Sequence, residues 1–191
     1  MKKLHILMIA TIALISTATF AQTKVPEGYV KGTITLLNHS SIEGYIKDEM
    51  SSRATIVFIA NNQTKKEQIK GEQLLNITIN NDNYICIKGD FFKKIVTGDY
   101  NFLQKISDAA AIPTYVGTEA FFINGTEGKP GNYFLYHAAT QNLQLVNKKN
   151  VAKIVAHAFN GNAAAIAKAK ESEQNIQALQ YAVILFNQPI N

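Results

Sequence analysis

Apolar and polar residues alternate with a period of two from Val30 to Leu36. Val30, Gly32, Ile34 and Leu36 fall on one side, and Lys31, Thr33 and Thr35 on the other. This is the pattern of a half-buried strand. Asn38-His39-Ser40-Ser41 is a turn cluster, and residues 42–47 alternate again. Two strands around a short polar loop predict a β-hairpin. Residues 54–60 are β-branched and aromatic and close at Asn61-Asn62. The shorter, more polar stretch 66–70 suits an edge strand. Residues 74–79 and 84–88 flank Asn80-Asn81-Asp82-Asn83. That loop tolerates left-handed backbone and predicts a second hairpin. Strands are also expected at 91–97 and 100–106, separated by Gly98-Asp99. Two more, at 115–124 and 133–137, bracket a Gly-rich loop at 125–132, and the last lies at 143–147.

Beyond Asn147 the period changes. Val151, Ile154, Val155 and Ala158 lie on one face of a helix, which Asn147 or Asn150 can cap and Gly161 can end. Residues 163–169 are alanine-rich and favour helix by intrinsic propensity. Ile176, Leu179, Val183 and Phe186 form a second apolar stripe, and Pro189 marks its end. Ser172 either caps a separate helix or lies within one long helix. The fold class is therefore α+β, mainly antiparallel β, with a C-terminal pair of helices. A curved sheet or partly open barrel is preferred over a sandwich. The helical tail, 148–191, is too short for a separate domain and should dock on the β-rich domain, 22–147.

The first 21 residues differ in kind. Lys2 and Lys3 precede an apolar run at 6–15, and a small, polar segment ends at Ala21. Thr19 and Ala21 are the small residues needed before a signal-peptidase cut, which places cleavage between Ala21 and Gln22. A membrane span needs about 20 predominantly apolar residues, and Ser16, Thr17 and Thr19 erode this one. A lipid anchor would need cysteine where Gln22 stands. The expectation is export to the periplasm or beyond, with no integral membrane span after the leader is removed.

Composition trims the choices. Two of the 19 Lys and Arg, and none of the 14 acids, lie in the leader, so the mature net charge is only about +3. That is too small to argue for nucleic acid. Cys86 is the single cysteine, so no intramolecular disulfide can form. In the run Tyr84-Ile85-Cys86-Ile87 it reads as a buried thiol.

Gly28-Tyr29-Val30-Lys31-Gly32-Thr33-Ile34, a polar turn, then Ile42-Glu43-Gly44-Tyr45-Ile46-Lys47 resembles the opening of small secreted proteins of Bacteroidota. Their strand-turn-strand pattern (G-x-I, then I-x-G-x-I) follows the signal peptide. Ile56-Val57-Phe58 is similar to the strand that comes next in them. The resemblance implies compartment and architecture, and it brings no catalytic residues.

Catalytic motifs are not assembled. His39, His137 and His157 are not spaced to pair with one another on one element, and His-Glu-x-x-His and Cys-x-x-Cys are absent. His157 suits a helix C-terminus. The 80–83 loop supplies one carboxylate and lacks the spacing of a calcium loop. Asp82, Asp90 and Asp99 lie in or beside turns, and Glu43, Glu119 and Glu127 are scattered. Carboxylates at strand ends are usually solvated turn residues. Gly125 to Gly131 only superficially suggests a phosphate loop, because no Gly-Lys-Ser/Thr follows. Lys88-Gly89-Asp90 echoes an adhesive tripeptide, three common residues and no more. Lys148, Lys149, Lys153, Lys168 and Lys170 read as a solvated helix face.

No catalytic, cofactor or metal residues are assigned. The expected function is a non-enzymatic binding or structural module of the cell envelope, with an envelope protein or polysaccharide as partner. Tyr29, Tyr45, Tyr133 and Tyr136 are possible stacking contributors. Two alternatives stand beside it. One is a carboxylate-dependent hydrolase of envelope or environmental polymers. The other is a β-barrel carrier of a small apolar ligand, with a cavity lined by residues such as Ile34, Phe58 and Ile85.

Overall fold

The computed structural model describes residues 25–116, 118–122, 125–171 and 176–188. The leader at 1–21, the Ala21–Gln22 junction and Pro189 lie outside them. The predicted N-terminal hairpin is present as β1 (Val30–Leu36) and β2 (Ser41–Glu49), with Ile34 opposite Ile42. Asn38 shapes its turn: Oδ1 accepts from the Ser40 amide at 3.0 Å and the Ser40 hydroxyl at 2.6 Å. His39 occupies the left-handed region, φ 65°.

A short helix α1 (Met50–Arg53) leads to β3 (Thr55–Ala60) and β4 (Glu67–Lys70), then a 3-10 turn, Gly71–Gln73. Next come β5 (Leu74–Ile79), β6 (Asp82–Ile87), β7 (Asp90–Val96) and β8 (Tyr100–Lys105). A small hairpin, β9 (Pro113–Val116) and β10 (Glu119–Phe122), precedes β11 (Tyr133–His137) and β12 (Asn142–Val146). The tail holds α2 (Val151–Ala158), α3 (Ala163–Lys170) and α4 (Ile176–Asn187).

Ten strands form one antiparallel sheet in the order β12-β11-β8-β7-β6-β5-β1-β2-β3-β4. The sheet is not closed, and β4 lies at its edge as its polar sequence suggests. The fold is α+β, mainly antiparallel β, with C-terminal helices. No helix among the described residues is long and apolar enough to cross a membrane.

Three details differ from the pattern reading. The single strand expected at 115–124 is a hairpin, with Val116 opposite Glu119. Gly117, a residue that favours turns, interrupts that run in sequence. Asp82 and Asn83 belong to β6, leaving a tight Asn80-Asn81 turn with Asn80 at φ 53°. The tail holds three helices rather than the expected pair: the alanine-rich stretch and the second apolar stripe, which the sequence leaves as one helix or two, are α3 and α4, and these pack against each other.

The sheet must curl. In strand order β4 and β5 are four spacings apart, about 19 Å if flat. Yet only Gly71–Gln73 joins them, and three residues span at most about 14 Å even when extended. The first five strands therefore bend around a common interior. Ile34, Ile46, Ile56, Phe58, Leu74 and Ile77 fill it, with Met50 of α1 added. Gly32 and Gly44 face each other across β1 and β2. A Cβ on Gly32 would lie 2.5 Å from the Thr78 carbonyl oxygen, and one on Gly44 2.2 Å from that of Ile59. Glycine inside a strand marks such close backbone approach.

Past β7 the same face is covered by helices instead. Phe102 and Leu135 of the sheet pack with Val151, Val155, Phe159, Leu179 and Val183. The opposite face carries Phe92, Leu103, Phe134 and Tyr136. Phe92 and Phe134 meet edge to face at 5.1 Å.

Candidate functional site

Cross-strand register places Tyr100, His137 and Asn142 in one row across β8, β11 and β12. Side chains two residues apart share a face, so Gln144 lies on the same side as Asn142. The last turn of α2 brings His157 over this corner. The result is a cleft of about 400 Å³ between sheet and helix. Leu135 and Ala158 supply its apolar surface. Tyr100, His137, Thr140, Asn142, Gln144 and His157 supply its polar groups.

Two of these side chains are firmly held. The Asn187 side chain at the end of α4 imitates a neighbouring strand. Its Oδ1 accepts from the Tyr100 amide at 3.2 Å, and its Nδ2 donates to the Tyr100 carbonyl at 2.8 Å. Gly98 leaves the room, since a Cβ there would fall 2.3 Å from Asn187 Cγ. The Tyr100 ring packs on Phe159, Phe186 and His137. His137 sits 4.7 Å from the Tyr100 centroid, and its Nδ1 lies 2.7 Å from Thr140 Oγ1. Replacing Asn187 by Ala would leave two Tyr100 backbone groups unpaired, at a cost of roughly 1–3 kcal/mol. A thermal melt of Asn187→Ala should shift down accordingly, and the Tyr100 amide should lose protection from hydrogen exchange.

The remaining polar groups are unspent. Among the described residues, the side chains of Asn142, Gln144 and His157 and the Tyr100 hydroxyl make no hydrogen bond. A second cleft, about 350 Å³, differs in this respect. There Arg53 Nη1 meets Glu49 Oε2 at 3.1 Å, and Gln68 Nε2 donates to Thr55 Oγ1 at 3.3 Å. Gln73 Oε1 accepts from the Lys70 amide at 2.9 Å. Its polar side chains largely serve the fold.

No protein-family model, no curated protein and no solved structure matches this chain.

Asp90 is not the solvated turn residue its sequence suggests. Asp90 and Lys105 are both fully buried and lie 3.1 Å apart. Asp90 also accepts from the Ser107 hydroxyl, the Ala109 amide, and the amide and hydroxyl of Thr126, all at 2.7–3.2 Å. Burial pushes its carboxyl up, but the bonds from Thr126, Ala109 and Lys105 outweigh that and hold it below the usual range. Lys105 Nζ donates to the carbonyls of Thr126 and Gly128 at 2.9 and 3.0 Å. The Gly-rich loop thus cradles a cation with carbonyls, the reverse of a phosphate loop's amides. The burial of Asp90 also removes it from any displayed Lys-Gly-Asp tripeptide.

The other candidates scatter. Asp82 pairs with Lys93 at 2.8 Å. Asp99, Glu43 and Glu127 are exposed, and the Glu119 side chain lies outside the described residues. Among the described residues no three His, Cys, Asp or Glu could hold a metal ion together. Burial raises the Cys86 thiol far above its usual value. Tyr29 lies under Lys66 Nζ, 5.8 Å from its centroid. Tyr133 stacks on Phe102 at 5.3 Å. Tyr136 is buried on the opposite face, which raises its hydroxyl. The four tyrosines form no common platform. Ile34 and Phe58 are packed in the first core, while Ile85 lies against the cluster on the other face.

Proposed function

We propose that this chain is an exported, non-enzymatic binding or structural module of the bacterial cell envelope, with an envelope polysaccharide or protein as partner. The leader sequence and the Ala21–Gln22 junction support export. The cleft between β11, β12 and α2 supports binding. The amides of Asn142 and Gln144, the His157 imidazole and the Tyr100 hydroxyl line one concave surface and make no hydrogen bond to any described residue, and this observation carries the reading. A few convergent polar groups over an apolar floor are what a ligand site offers. The buried acid is already bound by Lys105 and four further hydrogen bonds, and so works in the fold.

Fractionation of the native host, with mass spectrometry of the chain, tests this. The expected species starts at Gln22 and appears in the periplasmic or secreted fraction. A chain retaining Met1 among cytosolic proteins would overturn the proposal.

A further inference from the structure

We infer that the cleft of Tyr100, His137, Asn142, Gln144 and His157 takes an uncharged, polyhydroxylated ligand: one or two sugar units of a neutral glycan. This rests on the binding-module reading and names its ligand class.

Charge comes first. No Asp, Glu, Lys or Arg lines the cleft. An ionic ligand would leave water without an opposite charge to meet it, which is costly. The cleft therefore favours a neutral partner.

Hydrogen bonding narrows the class. The Asn142 and Gln144 amides each offer two donors and one acceptor oxygen, and a tyrosine hydroxyl both donates and accepts. Thr140 engages His137 through Nδ1, which leaves Nε2 to a ligand. Such a mixture matches hydroxyl groups, each of which donates and accepts. A ligand rich in only donors or only acceptors would leave half of these groups unpaired.

Geometry agrees. Asn142 and Gln144 stand on alternate positions of one strand, about 7 Å apart along it. That is close to the span of a pyranose ring with its substituents. Leu135 and Ala158 add apolar surface for the C–H patches of a sugar. A volume of about 400 Å³ lies at the small end of ligand sites, roughly 300–1,000 Å³. Fixing Tyr100 through Asn187, and His137 through Thr140, lowers the ordering cost of binding. Two imidazoles without a third metal-binding group at hand are an incomplete metal site.

The test is a titration of the exported protein, purified from its host, with cellotriose, maltotriose, mannotriose and N,N′,N″-triacetylchitotriose, followed by NMR. At least one should bind saturably and shift the Asn142 and Gln144 side-chain amides and the His137 ring. The double variant Asn142→Ala/Gln144→Ala should bind that sugar roughly ten- to a hundredfold more weakly. Its thermal midpoint should stay unchanged, because neither side chain bonds within the protein. Silence from all four sugars would overturn the inference, as would full-strength binding by the double variant. Zinc chloride shifting His137 and His157 while the sugars do nothing would overturn it too. If the sugars are silent but the double variant loses capture of envelope material, the glycan class falls and the binding module stands.

Discussion

Gly44→Ala should lower the thermal midpoint by roughly 10 °C, an effect of about 3 kcal/mol or more for a domain of this size. The added methyl would meet the Ile59 carbonyl oxygen at 2.2 Å and the Phe58 ring at 2.7 Å. Backbone oxygen cannot rotate away as a side chain can. Relief would require β2 and β3 to part, which opens the core around Ile46, Ile56 and Phe58. Gly32, directly opposite, meets the same obstacle from the Thr78 carbonyl. The neighbouring Glu43→Ala is the control. It is exposed on the same strand and should change stability by less than about 0.5 kcal/mol. A thermal melt showing Gly44→Ala level with this control would contradict the tightly curled sheet.

Asp90→Ala should cost roughly 3 kcal/mol, because it takes the nearer carboxylate, at 3.1 Å, from the buried Lys105 ammonium and leaves only Asp108, 3.9 Å away and partly exposed. Lys105→Met removes the other partner and should cost a similar amount. The double variant Asp90→Leu/Lys105→Met should lose less than the two singles together, since neither charge is stranded. Urea titrations of the four proteins measure this. Acid adds a second signature. The Asp90 carboxyl is held below its ordinary value, so the folded form binds its proton less readily than the unfolded chain. Its contribution is fully present above the unfolded value, about 3.9. It is lost as pH falls through the lower folded value. Wild-type stability should therefore drop steeply below about pH 4, and Asp90→Asn should flatten that part of the curve.

β1 and β2 were legible because each carries its own two-residue alternation, and β3 because it is β-branched and aromatic throughout. Ile34 and Ile46 declare a buried face whatever lies across from them. The helix at 151–158 was legible for the same local reason. What escaped depends on distance along the chain. Asp90 follows Gly89 and looks like a turn, but its partners are Lys105, Ala109 and Thr126. Nothing local announces them. α1 covers a single turn, too short for a periodic signal.

The cleft was hidden in the same way. His137 and His157 share no element, and Tyr100 joins them only through strand register. One signal was available in β12. Leu143 and Leu145 pack on the face away from the helices, while Gln144 is half-buried on the helix-covered face with Val146 and Asn142 lies exposed at its end. Polar residues on a covered face are the pattern of a site. Reading it requires knowing which face the tail covers.

Sedimentation of the purified protein with insoluble envelope material from its host tests the central claim most directly. Wild-type protein should pellet with that material, and Asn142→Ala/Gln144→Ala should remain in the supernatant at the same concentration. Equal partition of the two proteins, whether both pellet or both stay in solution, would contradict a binding role for this cleft.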